Sequence, residues 1–450
     1  MAQHVQNMTE GSPMKRMLSF GLPLLFGTLF QQFYSLVDTM VVGYTLGDRA
    51  ISAIGATSSV YSLLFFLTAS LNSGFAIPIG QLFGAGDLSR LRKAVAGALL
   101  LNLLFGVVLT ALSLGLLGPV ISLLNTPDDI RADAEIYIGI ICAGLLSTVC
   151  YNMFSRLLNS LGDSRTPLMF LILTSLLNIA LDFLLVAGFS LGVAGAALAT
   201  VISQVVSCLL CGVFLVRNFR AYLPGREDFR VPGKLMLEMI STGSAMELMS
   251  VVVDIGSVIF QSAANTLGIA IITAHTASRR LIELLLQPLG SLSAAFSVFT
   301  AQNYGAGKRS RIRTALAQVL LLSALWSLIA TCFVYLLGGS IIRLTTGTTD
   351  PVVLRNAVLS LRVHLPFYPM LGAVFCLRSG LQAMGFKIVP ICSSVVELAI
   401  KLLSAWMLIS RLGYLGVCIT EPASWTLMTL FLGGAYLLKY RATLTKEEML

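Results

Sequence analysis

Apolar residues run through this chain in stretches of twenty or more, each closed by a short polar or glycine-containing break. Twelve such stretches fall near 17–43, 53–82, 94–118, 134–161, 167–188, 193–216, 235–263, 270–302, 314–338, 355–384, 388–410 and 414–438. At ~1.5 Å of rise per residue each is long enough for a helix to cross the ~30 Å hydrocarbon layer of a bilayer. A helix also satisfies its own backbone polar groups, which lipid cannot do. The pattern therefore predicts an all-α integral membrane protein with twelve transmembrane helices.

The same pattern occurs twice. Gln81-Leu82-Phe83-Gly84-Ala85-Gly86 returns as Gln302-Asn303-Tyr304-Gly305-Ala306-Gly307, 221 residues later. Thr45-Leu46-Gly47 returns as Thr266-Leu267-Gly268, and Leu191-Gly192 with Gly195 returns as Leu412-Gly413 with Gly416. A 223-residue shift superposes Gly162 on Gly385 and Pro167 on Pro390. The stretch 217–234, rich in Arg, Pro and Gly, divides six spans from six. Six is even, so both copies start on the same side, and the expected arrangement is two six-helix lobes related by a pseudo-twofold axis along the membrane normal. The organisation expected is a cytoplasmic N-terminus at 1–16, an N-lobe at 17–216, a cytoplasmic linker at 217–234, a C-lobe at 235–438 and a cytoplasmic tail at 439–450. Two such bundles facing a central cleft suit alternating access, whereas a channel would need a repeated filter segment that the sequence does not contain.

Composition narrows the reading. The 450 residues are 56% hydrophobic and 11% charged, too apolar for a surface wetted all round. The net charge of +9 invites a nucleic-acid reading, but the cations follow topology. Nineteen Lys and Arg lie at the N-terminus, in the linker, in the tail and in the loops predicted to share their side, against five in the alternate loops. By the positive-inside rule both termini are cytoplasmic, the protein lies in the plasma membrane, and nucleic acid is not a partner. The eight Cys all lie in apolar stretches, so disulfides are not expected, and the CxxC of Cys208 and Cys211 reads as packing.

Enzyme signatures are weak. Gly188-Phe189-Ser190-Leu191-Gly192 fits GxSxG but lies in a short connection between apolar helices, without the preceding strand that a nucleophile elbow needs. His4, His275 and His364 are scattered. Asp128, Asp129, Asp133 and Glu135 read as a solvated helix start rather than a transferase site.

The informative residues are ionisable groups within the spans, where each charge costs at least ~2.5 kcal/mol. Asp38 lies in span 1 and Asp182 in span 5, with Asn178 one turn before Asp182 on the same face. Gln31, Tyr34 and Asp38 form a stripe at i, i+3, i+7, and Thr200 in span 6 can add a hydroxyl oxygen. Two carboxylates in one low-dielectric chamber call for a positive partner, either a proton or a sodium ion held by carboxylate, amide and hydroxyl oxygens. In the second half Arg279 with Glu283, and Glu397 with Lys401, stand at i, i+4 and read as structural ion pairs. Glu247 and Asp254 have no such local partner and join Gln31, Tyr34 and Asn152 as candidate substrate contacts. Pro23 would permit a bend in span 1.

Pro23 with Asp38, Gly84-Ala85-Gly86, Leu161-Gly162-Asp163-Ser164-Arg165-Thr166-Pro167, Asn178-Ile179-Ala180-Leu181-Asp182 and Gly195-Ala196-Ala197-Leu198-Ala199-Thr200 together resemble the multidrug and toxic compound extrusion (MATE) family. The likeness covers about residues 15 to 437. The pairs in spans 8 and 11 look more like its Gram-positive bacterial drug-efflux branch. The resemblance implies that Asp38, Asn178, Asp182 and Thr200 form an N-lobe cation site. It also implies that an inward H⁺ or Na⁺ gradient drives export of amphipathic, often cationic, compounds, with no cofactor and no metal beyond Na⁺. The C-lobe site of another branch is not transferred, because span 10 lacks the acid it requires. The expected protein is a monomeric antiporter in the lipid bilayer; the alternatives are a lipid-linked oligosaccharide flippase of the same fold and a membrane-embedded transferase.

Overall fold

A computed structural model describes residues 6–447, with side chains to residue 438. Among the described residues there is no strand. The main helices are α1 (Pro13–Leu46), α2 (Asp48–Ala85), α3 (Leu88–Gly115), α4 (Asp128–Ala143), α5 (Leu145–Ser160), α6 (Arg165–Asp182) and α7 (Gly192–Asn218). They continue as α8 (Gly233–Asn265), α9 (Ile269–Gly305), α10 (Arg309–Thr346), α11 (Pro351–His364), α12 (Tyr368–Ala383), α13 (Ile388–Ser404) and α14 (Tyr414–Glu447). Eleven helical segments among the described residues are long and apolar enough to cross a bilayer. A twelfth comes from α4 and α5 taken as one span, bent by 46° at Gly144. A side chain at Gly144 would press into Val201, so the break lets α5 lie close against α7. Large apolar side chains such as Phe26, Phe33, Leu104, Leu209 and Leu336 are exposed, as helices solvated by lipid require.

The duplication is written into the backbone. Gly86 and Gly307 end their helices at φ 72° and 73°, and Gly162 and Gly385 turn at φ 89° and 87°, conformations that a Cβ disfavours. A six-residue π-helical turn, Phe183–Gly188, follows α6, and a five-residue one, Ala405–Ile409, follows α13. The cores repeat as well. Val186, Val193, Ala196 and Ala197 belong to one buried cluster, and their counterparts Ile409, Tyr414, Val417 and Cys418 belong to another.

The chain folds into two compact units. One comprises Leu22–Ser244 with the described residues up to Met8; the other comprises Thr9–Gly21 and the chain from Ala245. Both boundaries cut through helices, α1 at Leu22 and α8 at Ala245, rather than through the polar linker. The reason is packing. Leu235 and Met239 of α8 complete the buried cluster of Phe75, Leu91 and Val95 in the first unit, and Met17 and Phe20 of α1 are fully buried. Gly243 lies so close to Gly74 that a Cβ on Gly74 would collide with its backbone. At the equivalent place in the second unit, a Cβ on Gly21 would come within 3.3 Å of the Ala295 methyl. In lipid there is little hydrophobic gain from joining two apolar helices, so small residues that let backbones approach do much of the packing.

Candidate ion-coupling site

Asp38 lies eight residues before the end of α1, and Asp182 is the last residue of α6, directly before the π turn. Such turns shift the phase of a helix and often accompany functional sites. Both residues belong to the first unit. Asp182 is 0% exposed and Asn178, one turn earlier, 1% exposed, while Asp38 is half-buried. The carboxyl groups of Asp38 and Asp182 lie within hydrogen-bonding reach of each other. Among the described residues no hydrogen bond satisfies Asp38 Oδ1, either carboxyl oxygen of Asp182, or either polar atom of the Asn178 amide. None of the ion pairs among the described residues includes either aspartate. Two bare carboxylates cannot bond to one another, so the arrangement is complete only with a proton between them or a cation beside them.

The surroundings are polar but neutral. Tyr34, Tyr61 and Tyr137 stand within electrostatic range of Asp38. Tyr61 and Tyr137 carried no sequence signal, because they reach this place from α2 and α4. Thr200 lies half-buried on α7; its hydroxyl donates to the Ala196 carbonyl at 3.1 Å, and no hydrogen bond joins it to either aspartate. Gln31 is half-buried on α1. Asn152 donates to Thr68 Oγ1 at 3.1 Å, so its amide ties α5 to α2. By contrast Asp163, also fully buried, is saturated: it accepts from the Arg165 and Thr166 amides at 3.1 and 3.0 Å and from Thr166 Oγ1 at 2.6 Å. Pro23 interrupts the hydrogen-bond ladder of α1 one residue past the boundary between the units. The acids at the start of α4 find surface partners, Asp133 with Arg49 at 3.3 Å and Glu135 with Arg131 at 2.9 Å.

The second unit is wired differently. Glu397 pairs with Lys401 at 2.9 Å and with Arg378 at 3.1 Å, and Lys401 also donates to Ser257 Oγ at 3.0 Å. Arg279 reaches Glu283 at 3.6 Å, but its shorter bond, 2.8 Å, is to Glu421 on α14. Glu421 in turn meets His364 Nε2 at 3.2 Å. Local spacing revealed Glu283; Arg378, His364 and Glu421 come from separate helices and were invisible to it. Asp254 is exposed on α8, with Lys401 and Glu397 the charges acting on it, and Glu247 is half-buried on the same helix. His275 is buried, its Nδ1 3.5 Å from Tyr414 Oη, and His4 lies outside the described residues. A cavity of about 440 Å³ opens beside this network, with Ser257, Gln261, Asn265, His275, Arg279 and Glu421 in its wall.

Comparison with known proteins agrees with this architecture. The probable multidrug resistance protein YpnP of Bacillus subtilis is 26% identical over 419 residues, covering 89% of this chain and 87% of the relative. An FAD transporter of Shewanella oneidensis is 26% identical over 390 residues, covering 84% and 85%. A crystal structure of MATE in the bent conformation superposes with a TM-score of 0.91 over 98% of each chain; at 22% identity it bears on the fold alone. The family model described as MatE matches twice, over residues 23–184 and 245–407, the two copies read from the sequence. The chain therefore belongs to the MatE family, the multidrug and toxic compound extrusion transporters.

Proposed function

We propose that this protein is a cation-coupled antiporter that exports amphipathic, often cationic, organic compounds by alternating access. The observation that carries the reading is the pair Asp38 and Asp182, two neighbouring carboxyls among neutral polar side chains of one unit, with no basic partner among the described residues. Binding of H⁺ or Na⁺ from outside fills that gap and lowers substrate affinity. Release inside restores the acidic state that recaptures substrate, a population shift driven by differential binding. Asn178 and Thr200 supply further oxygen ligands if the ion is Na⁺, and Tyr34 and Gln31 lie one and two turns along α1 from Asp38 to meet the substrate. Pro23 is the bending point of α1. Both termini are cytoplasmic, and a single chain in the plasma membrane suffices, since the proposed site draws on one chain.

The acidic pair is unsuited to the pyrophosphate of a lipid-linked oligosaccharide. An organic anion is the second reading, favoured by Arg279 in the wall of the second unit's cavity and by the name of the Shewanella relative. The test is purified protein in liposomes given either a sodium or a pH gradient alone, with ethidium or flavin as the cargo. Ethidium export under one gradient and none without supports the proposal; gradient-driven flavin movement without ethidium movement overturns it in favour of the second reading.

A further inference from the structure

The surroundings of His364 call for one proton more than a neutral imidazole beside a carboxylate carries. The side chain is 1% exposed. Its Nδ1 lies 2.6 Å from the Ser360 carbonyl oxygen, which can only accept, and its Nε2 lies 3.2 Å from Glu421 Oε2, which as a carboxylate can only accept. Neutral imidazole carries one N–H. Whichever nitrogen holds it, the other turns a lone pair toward an oxygen lone pair. The Ser360 hydroxyl, 3.5 Å from Nδ1, is too far to replace the 2.6 Å contact. We infer that His364 and Glu421 share a dissociable proton, and that this proton sets the charge of the cavity walled by His275, Arg279 and Glu421.

The groups facing the pair define what the proton does. From α9 come Arg279, bonded to Glu421, and His275; from α14 come Tyr414 and Cys418, and the Trp425 ring lies edge-on to His364. Lys401 of α13 acts on Glu421 from farther off, and Tyr368 opens α12 nearby. On the side of α10, Tyr335 bonds the Arg362 carbonyl and underlies the Arg362 guanidinium. The directly bonded charges are Arg279, Glu283 and Glu421. With the shared proton they sum to zero; without it they sum to minus one, and the cavity favours a cation. The repeat register strengthens the assignment. Glu421 stands where the first copy has Thr200, and Lys401 stands where it has Asn178, so the second unit has built a different ionic device on the same backbone positions.

The consequence is competition between a proton and an organic cation in the second unit alone, an extension that rests on the proposed cation transport. The chain contains three histidines, so ¹⁵N-histidine spectra of the full-length protein in nanodiscs, assigned with His4→Gln and His275→Gln, read His364 directly. The expected result is a pH-dependent change at His364 that is lost in Glu421→Gln, whose amide can donate to Nε2. Binding of tetraphenylphosphonium is then measured in an Asp38→Asn, Asp182→Asn background, which silences the first unit. Affinity should rise by up to about tenfold per pH unit as the proton leaves, by reciprocal linkage. That dependence should flatten in Glu421→Gln and equally in His364→Gln, which keeps the Arg279–Glu421 pair. A His364 signal that never changes, or a pH dependence of binding that survives both substitutions, overturns the inference. Neither outcome touches the aspartate proposal, which the transport assay tests separately.

Discussion

Asn178 and Lys401 hold the same place in the two copies of the repeat, each eleven residues past the proline that lies near the start of its helix. In α6 the position carries a neutral amide one turn before Asp182, an acid with no basic partner among the described residues. In α13 it carries an ammonium that, with Arg378, closes on Glu397 at 2.9 and 3.1 Å. At this position the second copy matches Glu397 with its own cations, while among the described residues the first copy gives Asp182 none.

Asp38→Asn and Asp182→Asn should each lower gradient-driven export at least about tenfold, since each removes a charge on which the differential binding of ion and substrate depends. Neither should lower the melting temperature, because removing an uncompensated buried charge relieves a cost. The check is ethidium export from liposomes beside a melting curve of the same preparation.

Asn178→Lys should install in the first unit the counter-ion that the second already has. The expected outcome is a folded protein that no longer responds to a sodium or pH gradient. Retained ion-driven export in this variant would show that the aspartates are not the coupling groups.

Glu397→Gln leaves two buried cations, Arg378 and Lys401, without a full counter-charge. A loss of about 3–5 kcal/mol is expected, the usual result of breaking a buried ion pair from one side. Thermal unfolding in detergent, followed by intrinsic fluorescence, measures it.

Gly74→Val should force α2 and α8 apart in the first unit, because a side chain there runs into the backbone of Gly243. The expected effect is a destabilisation of about 1–3 kcal/mol from overpacking. Gly55→Ala, on the same helix with open space around it, is the matched control and should be neutral.

Much of this was legible in the chain because lipid imposes a simple rule: long apolar runs are helices. The twelve stretches, the repeat and the two lone aspartates all follow from that. The ends of several spans moved outward, α10 from 314–338 to Arg309–Thr346, because helices continue past the hydrocarbon into polar sequence that hydropathy does not score. The 46° bend at Gly144 was hidden within an unbroken apolar run. The charge network of the second unit was read only in part. Spacing of i, i+4 finds Arg279 with Glu283, yet the shorter bond goes to Glu421, 142 residues away, and only the fold brings that about. Division of α1 at Leu22 had no sequence signal, since Met17 and Phe20 look no different from lipid-facing residues until their burial is seen.

The cuts through α1 and α8 have a bearing on how such a chain could ever be halved. A break in the polar linker would strand Leu235 and Met239 on one fragment and the cluster they complete on the other, and would leave Met17 and Phe20 cut off from the unit that buries them. Each fragment would then carry a piece of its sibling's interior. Severed there, the two should be insoluble apart and should reassemble only when made together, as strands of a single knot of mutual dependence.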